Sequence, residues 1–275
     1  MREPTSEPAG TPAPVSEPAG PAAPLSEPAD TAAPVSEPAG PAAPGSHPGA
    51  THLAELTWPE VAARAAGTVL AVPVGSTEQH GPHLPLDVDT AIAAALAERL
   101  ARALPWVLAA PPVPYGSSGE HAGFPGTLSI GQAATELLLV ELVRSADAFA
   151  GVVLVCGHGG NAEPLRRAVA TLRYEGRRVL AWLPTGPAGD SHAGRTETAA
   201  MLAVRPASVR PGRPAGNTRP LAELLDALRA GGTRAVSDNG VLGDPAGATA
   251  AEGAATLNRW AADLLAAVTR WRPPG

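Results

Sequence analysis

T68-V-L-A-V-P-V74, running into G75-S-T-E-Q-H-G-P-H-L-P-L-D-V-D89, decides the fold class of this chain. The first seven residues are an unbroken apolar run, which reads as a buried strand. The stretch after them is punctuated by Gly and Pro and carries Glu78, His80, His83, Asp87 and Asp89. Residues 90–104 then show helical spacing and strong helix formers. A strand passing through a polar loop into a helix places that loop at a sheet edge, where sites form.

The alternation continues along the chain. Residues 106–110, 151–156 and 179–183 read as strands, and the β-branched run 151–156 has the composition of a central one. Helical spacing covers 132–149, 162–174, 196–204, 221–229 and 246–271. Strands separated by helices imply a mainly parallel sheet covered on both faces, a three-layer α/β/α architecture.

Residues 1–50 differ in kind. Ser6-Glu7-Pro8-Ala9-Gly10 recurs with variation at Ser16, Ser26 and Ser36, and decays at Ser46-His47-Pro48. Alanine and proline spacers separate the copies. Such a segment buries too little apolar surface to offset its ordering entropy, so a disordered tail with polyproline II character is expected. It has neither a basic n-region nor a long apolar h-region, so it does not read as a secretory signal. Residues 51–275 are the size of one α/β domain.

Composition narrows the function. The net charge is −6, which argues against a nucleic-acid partner. All 20 fixed cations are arginines. Cys156 is the single cysteine, so no intramolecular disulfide forms. No run reaches membrane-spanning length, and a cytoplasmic protein is the expectation.

Three clusters carry chemistry. Glu78 and His80 are two apart, so an extended backbone projects both to one side, and Asp87 and Asp89 repeat the spacing. Asp87 also reads as a cap for the following helix. The second cluster, G157-H-G-G-N161, follows the central strand, and its glycines leave room beside His158. The third is Ser191-His192-Ala193-Gly194-Arg195-Thr196-Glu197, with Glu197 in the first turn of a helix, near the positive end of its dipole. Glu120, His121 and Phe124 lie in a Gly/Pro-rich loop, 111–127.

Each cluster has a plain alternative. A strand-end histidine is commonly a loop or capping residue. Gly-rich turns also bind phosphate, although G-H-G-G-N lacks the P-loop lysine. One metal site accounts for all three clusters, since strand ends of a parallel sheet share an edge. Mixed carboxylate and imidazole ligands suit Zn, Fe or Mn better than Ca or Mg.

Together, G75–D89, G157–N161 and H192-A-G-R-T-E-T198 resemble the creatininase family of amidohydrolases. Y115-G-S-S-G-E-H-A-G-F-P-G-T127 and G240-V-L-G-D-P-A-G-A-T-A-A-E-G253 resemble its mycofactocin-system branch. The likeness spans the globular part and leaves out the repeat tail. It implies a creatininase-like fold, two divalent metal ions per subunit and hydrolysis of a C–N amide bond. By that likeness Glu78, His80, Asp89 and His158 are metal ligands, with Asp89 bridging, and His192 moves a proton toward the leaving amine. The family pattern has a glutamate where this chain has Gly160. Glu197 is therefore expected to replace it, ligating metal or orienting water. Glu120 and His121 are expected to shape the substrate pocket.

The implied substrate is a modified precursor peptide that loses a C-terminal Val-Tyr-derived unit. The alternatives are a small cyclic amide or formylamino-pyrimidine as substrate, and a non-catalytic metal-binding scaffold tethered by its tail. The resemblance also implies a homo-oligomer, often a hexamer.

Overall fold

A computed structural model describes residues 50–272 of the chain. The repeat tail lies outside the described residues. Four strands, β1 (Val69–Val74), β2 (Val107–Ala109), β3 (Gly151–Cys156) and β4 (Val179–Trp182), form one sheet in the order β2-β1-β3-β4. Every pairing is parallel, with Val69 opposite both Val107 and Gly151, and Val152 opposite Val179.

Side-chain alternation splits the core into two layers. Val69 and Ala71 pack with α2 (Val88–Ala103), α5 (Arg195–Val204) and α7 (Ala250–Trp271). Leu70, Val72 and Val74 pack with α3 (Gly131–Arg144) and α4 (Ala162–Tyr174) on the other face. In α2, Ile92, Leu96 and Leu100 are buried at helical spacing, and in α7 Leu257, Trp260, Leu264 and Val268 are. Each such leucine contributes about 1.5–3 kcal/mol by leaving water. Two peripheral helices, α1 (Trp58–Ala62) and α6 (Leu221–Gly231), complete the α-helices among the described residues. None of them is long and apolar enough to cross a membrane.

Pro73 sits in the central strand β1, a position proline rarely takes. The ladder with β2 ends opposite Ala71, and the Pro73 carbonyl accepts instead from the Val113 N–H at 2.9 Å. A strand residue's N–H and C=O point the same way, so the missing N–H falls where no strand ladder runs.

Two helices are shorter than their sequence pattern. The pattern over 132–149 ends as a helix at Arg144, because residues 145–150 turn the chain into β3. The pattern over 246–271 begins as a helix only at Ala250. Thr249 and Glu252 form a capping box there: Thr249 Oγ1 accepts from the Glu252 N–H at 3.2 Å, and Glu252 Oε2 accepts from the Thr249 N–H at 2.9 Å.

Candidate functional site

The C-terminal ends of the parallel strands meet at one edge of the sheet, and the three clusters converge there. The loop after β1 brings Glu78 and His80, both fully buried. The start of α2 brings Asp89, and the loop after β3 brings His158, each nearly buried. The start of α5 brings half-buried Glu197 beside buried His192. From the loop after β2 come buried His121 and half-buried Glu120.

Asp89 is the junction. Its Oδ1 lies 3.2 Å from His80 Nε2, and its Oδ2 lies 3.1 Å from His158 Nδ1. Ser76 Oγ donates to Oδ2 at 2.5 Å and fixes the carboxylate. Gly157 makes this approach possible, because a Cβ there would strike the Asp89 carbonyl oxygen. Glu78 Oε2 is 3.1 Å from His158 Nε2, and its Oε1 is 3.3 Å from His121 Nε2 and 3.7 Å from His192 Nδ1. Glu197 Oε2 is 3.8 Å from His80 Nε2 and accepts from the Ala193 N–H at 2.6 Å. Ala193 holds that N–H in place with φ 53°, the single non-glycine at positive φ among the described residues.

Asp87 and Asp89 do not share a face, contrary to the extended reading of that segment. Both sit at the start of α2, where a spacing of two turns side chains apart. Asp89 points into the site. Asp87 is half-buried, makes no side-chain cap to the helix, and pairs with Arg205 at 2.7 Å.

Gly160 explains where Glu120 goes. A Cβ at Gly160 would collide with Glu120 Oε1, His158 Nε2 and the Ser117 carbonyl oxygen. The Glu120 carboxylate thus reaches 3.7 Å from His158 Nε2 through space that a larger residue at 160 would fill. The site lacks a carboxylate at 160 but gains Glu120 from the loop after β2 and Glu197 from the first turn of α5. Three positioning residues were not singled out by sequence reading. Ser76 holds Asp89. Asn161 ties the loops together, its Nδ2 donating to the Gly75 carbonyl at 2.9 Å and its Oδ1 accepting from the Ser117 N–H at 2.8 Å. Asp190 Oδ2 accepts from the Thr196 N–H at 2.8 Å and so anchors the first turn of α5. Ser76 and Asn161 at least stand inside the clusters, whereas nothing in the local sequence marks Asp190.

Burial and mutual charge set the protonation of these side chains. Burial opposes ionisation of Asp89, yet His80 and His158 beside it hold its carboxyl well below the usual carboxylate range. Burial alone would neutralise His80, but Asp89 and Glu197 push its imidazole up to about 10. His158 likewise overcomes burial through Glu78 and Asp89 and rises to about 10. Burial pushes Glu78 and Glu197 up to about 7, against the pull of His158 and His80 respectively. Burial, with His80 and His158 nearby, lowers His121 to about 3. His192 lies well below its usual value because of burial, His80 and His121.

These residues fit a metal ion. Both carboxylate oxygens of Glu78 are buried without a hydrogen-bond partner. A buried carboxylate left so is strongly destabilising unless cations meet it, and the imidazolium of His158 approaches Oε2 alone. Glu78, Asp89 and His158 offer ligand atoms within 4.8 Å of one another, as do His80, His192 and Glu197, and Glu78, His121 and His192. Beside His158 and Glu197 opens a cavity of ≈ 350 Å³, walled by Leu183, Thr185, Leu221 and Trp260.

The fold and site define an α/β protein with a buried carboxylate–imidazole centre at the carboxyl edge of a parallel sheet. The chain belongs to the creatininase family: the family model for creatinine amidohydrolase matches residues 54–268. The mycofactocin precursor peptide peptidase of Mycolicibacterium smegmatis is 53% identical over 213 residues, covering 74% of this chain and 86% of that one. A solved creatininase containing Mn is 27% identical, with a TM-score of 0.69 over 82% of this chain and 100% of that one. A creatininase variant of Zn–Zn type is 26% identical, with a TM-score of 0.65 over 82% and 99%.

Proposed function

We propose that this chain is a metal-dependent amidohydrolase that cleaves a modified mycofactocin precursor peptide and releases its C-terminal Val-Tyr-derived unit. The observation that carries the chemistry is the Asp89 junction, one carboxylate 3.2 Å from His80 and 3.1 Å from His158, beside a Glu78 with no hydrogen-bond partner. The 53% identical relative, named for action on that peptide, supports the substrate.

Glu78, Asp89 and His158 would hold one divalent cation, and His80 with Glu197 a second, with Asp89 shared. The Mn and Zn–Zn creatininases support Mn or Zn there, and iron suits the same ligands. When bound, such cations make a water acidic enough to attack near neutral pH and polarise the amide carbonyl. His192 is buried, neutral and lined up beside Glu78, where it takes a proton from the attacking water and returns it to the leaving amine nitrogen. Glu197 is held by the Ala193 N–H, which keeps one of its oxygens directed at His80. Glu120, half-buried beside His158, would meet the substrate amide. The cavity walled by Leu183 and Trp260 would take the released unit.

The test is direct. Metal-loaded protein is incubated with the modified precursor peptide and the products are read by mass spectrometry. Release of a small C-terminal fragment is expected, and intact peptide after loading with Mn, Zn or Fe overturns the reading.

A further inference from the structure

Gln79 lies between the two metal-facing residues of the β1 loop and touches two imidazoles from distant parts of the chain. Its carboxamide has one possible orientation. Oε1 accepts from the Gly81 N–H at 2.8 Å, and Nε2 donates to the Gly240 carbonyl at 3.0 Å. A flipped amide would set N–H against N–H and oxygen against oxygen. Gly240 has φ 79°, and a Cβ there would strike Gln79 Oε1, so this loop is shaped around the carboxamide.

One Nε2 hydrogen is taken by Gly240. The other has two imidazole nitrogens in reach, His121 Nδ1 at 2.8 Å and His192 Nε2 at 2.9 Å. The main chain decides between them. His192 Nε2 is also 2.7 Å from the Gln79 carbonyl oxygen, which can only accept. His192 Nε2 therefore bears a hydrogen and cannot take another. The amide hydrogen goes to His121 Nδ1, which must be bare. A neutral imidazole with bare Nδ1 bears its hydrogen on Nε2.

Both rings thus carry a hydrogen on Nε2 but face the site with opposite atoms. His121 sets its protonated Nε2 3.3 Å from Glu78 Oε1, outside hydrogen-bond geometry, whereas His192 sets its Nδ1 3.7 Å from the same oxygen. We infer that Gln79 is a positioning residue that fixes the hydrogen of His121 on Nε2, while its own main-chain carbonyl fixes a hydrogen on His192 Nε2 and leaves Nδ1 as the proton-accepting atom of that ring. It follows that the grouping of Glu78, His121 and His192 does not hold an ion, because His121 Nε2 carries a hydrogen and has no lone pair to offer. The catalytic consequence rests on the hydrolase reading; the tautomer assignment does not.

The experiment is long-range ¹H–¹⁵N correlation on ¹⁵N-histidine-labelled, Zn-loaded protein, with Gln79→Glu and Gln79→Leu alongside. In the unaltered chain, His121 and His192 both show protonated Nε2 and bare Nδ1. In Gln79→Glu, the carboxylate accepts where the amide donated, so His121 moves its hydrogen to Nδ1 while His192 keeps its pattern. Gln79→Leu releases His121 to donate to Thr233 Oγ1, 3.2 Å from Nδ1. Against the modified peptide, kcat of Gln79→Glu falls about tenfold to a hundredfold with KM little changed, as expected when an outer partner misorients a site imidazole. Protonated Nδ1 on His121 in the unaltered chain overturns the inference, and needs no variant to fold. An unchanged His121 pattern in folded Gln79→Glu overturns it too. A swapped tautomer with unchanged kcat removes the catalytic consequence of the His121 tautomer but leaves the hydrolase standing. Correct tautomers without any peptide turnover would instead sink the proposed function.

Discussion

Asp89→Asn is the most searching perturbation of this site. The amide keeps the shape of the side chain and removes one buried negative charge. In the metal-free protein that charge faces His80 at 3.2 Å and His158 at 3.1 Å, both held protonated up to about 10. Removing one partner of a buried ionic cluster costs about 3–5 kcal/mol, since the other charges stay buried. A domain of this size shifts by about 2–4 °C per kcal/mol, so Tm should fall by about 6–20 °C. The unaltered chain should gain about 2.7 kcal/mol at a free metal concentration near a hundred times Kd, or about 5–11 °C over a chelated sample. The variant should show no such gain, because Asp89 contacts both halves of the site. The assay is calorimetric melting of both proteins with chelator and with added Zn or Mn. Asp87→Asn is the control: its exposed pair with Arg205 is worth at most about 1 kcal/mol. A variant that melts with the unaltered chain when chelated, or still gains from metal, refutes the junction role of Asp89.

Further predictions follow from individual residues. Glu197→Gln should lower the metal content by one ion per chain while Glu78, Asp89 and His158 keep theirs; elemental analysis showing two retained ions would remove Glu197 from the ligand set. His192→Ala should keep its metal and lose about 10²–10⁴ in kcat, and loss of metal would show that it ligates rather than moves protons. Gly160→Glu restores the family carboxylate on paper, but its Cβ meets Ser117, His158 and Glu120, so it should melt lower and lose peptide cleavage. Gain of metal affinity at unchanged Tm would refute that. The pH dependence of the chelated protein follows from His80 and His158. Their imidazoles are raised in the fold, so their stabilisation is complete below the ordinary imidazole range and is lost as pH rises through about 10. Tm should therefore fall between pH 7 and 10, each imidazole contributing up to about 1.4 kcal/mol per pH unit, and a flat profile would contradict the assigned charges.

Much of the fold was legible because element type is a local property. The pattern of residues 162–174 matches α4 end to end, and the apolar run after Thr68 is β1. Errors fell where a turn competes with a continuing apolar pattern. The spacing over 132–149 carries no mark of the turn after Arg144, and alanines at 246 and 248 read as helix until the Thr249 cap is seen. Asp87 and Asp89 misled for a related reason: their spacing has opposite meanings in a strand and in a helix, and the helix starts earlier than its alanine run suggested.

By itself, the sequence determined that this chain builds a parallel α/β sheet with Glu78, His80, Asp89, His158, His192 and Glu197 near strand or helix ends. Periodicity, turn residues and one long motif carry that much. The tertiary structure alone decided which atoms meet. Strand order β2-β1-β3-β4 brings the loops after all four strands to one edge, and no local pattern encodes that order. It decided that Glu197 faces His80, and that Glu120 uses the space left by Gly160. It also decided that one Gln79 carboxamide reaches imidazoles 42 and 113 residues further along the chain. Those meetings depend on the shape of the packed core, where a missing Cβ at Gly157 or Gly160 settles what can approach.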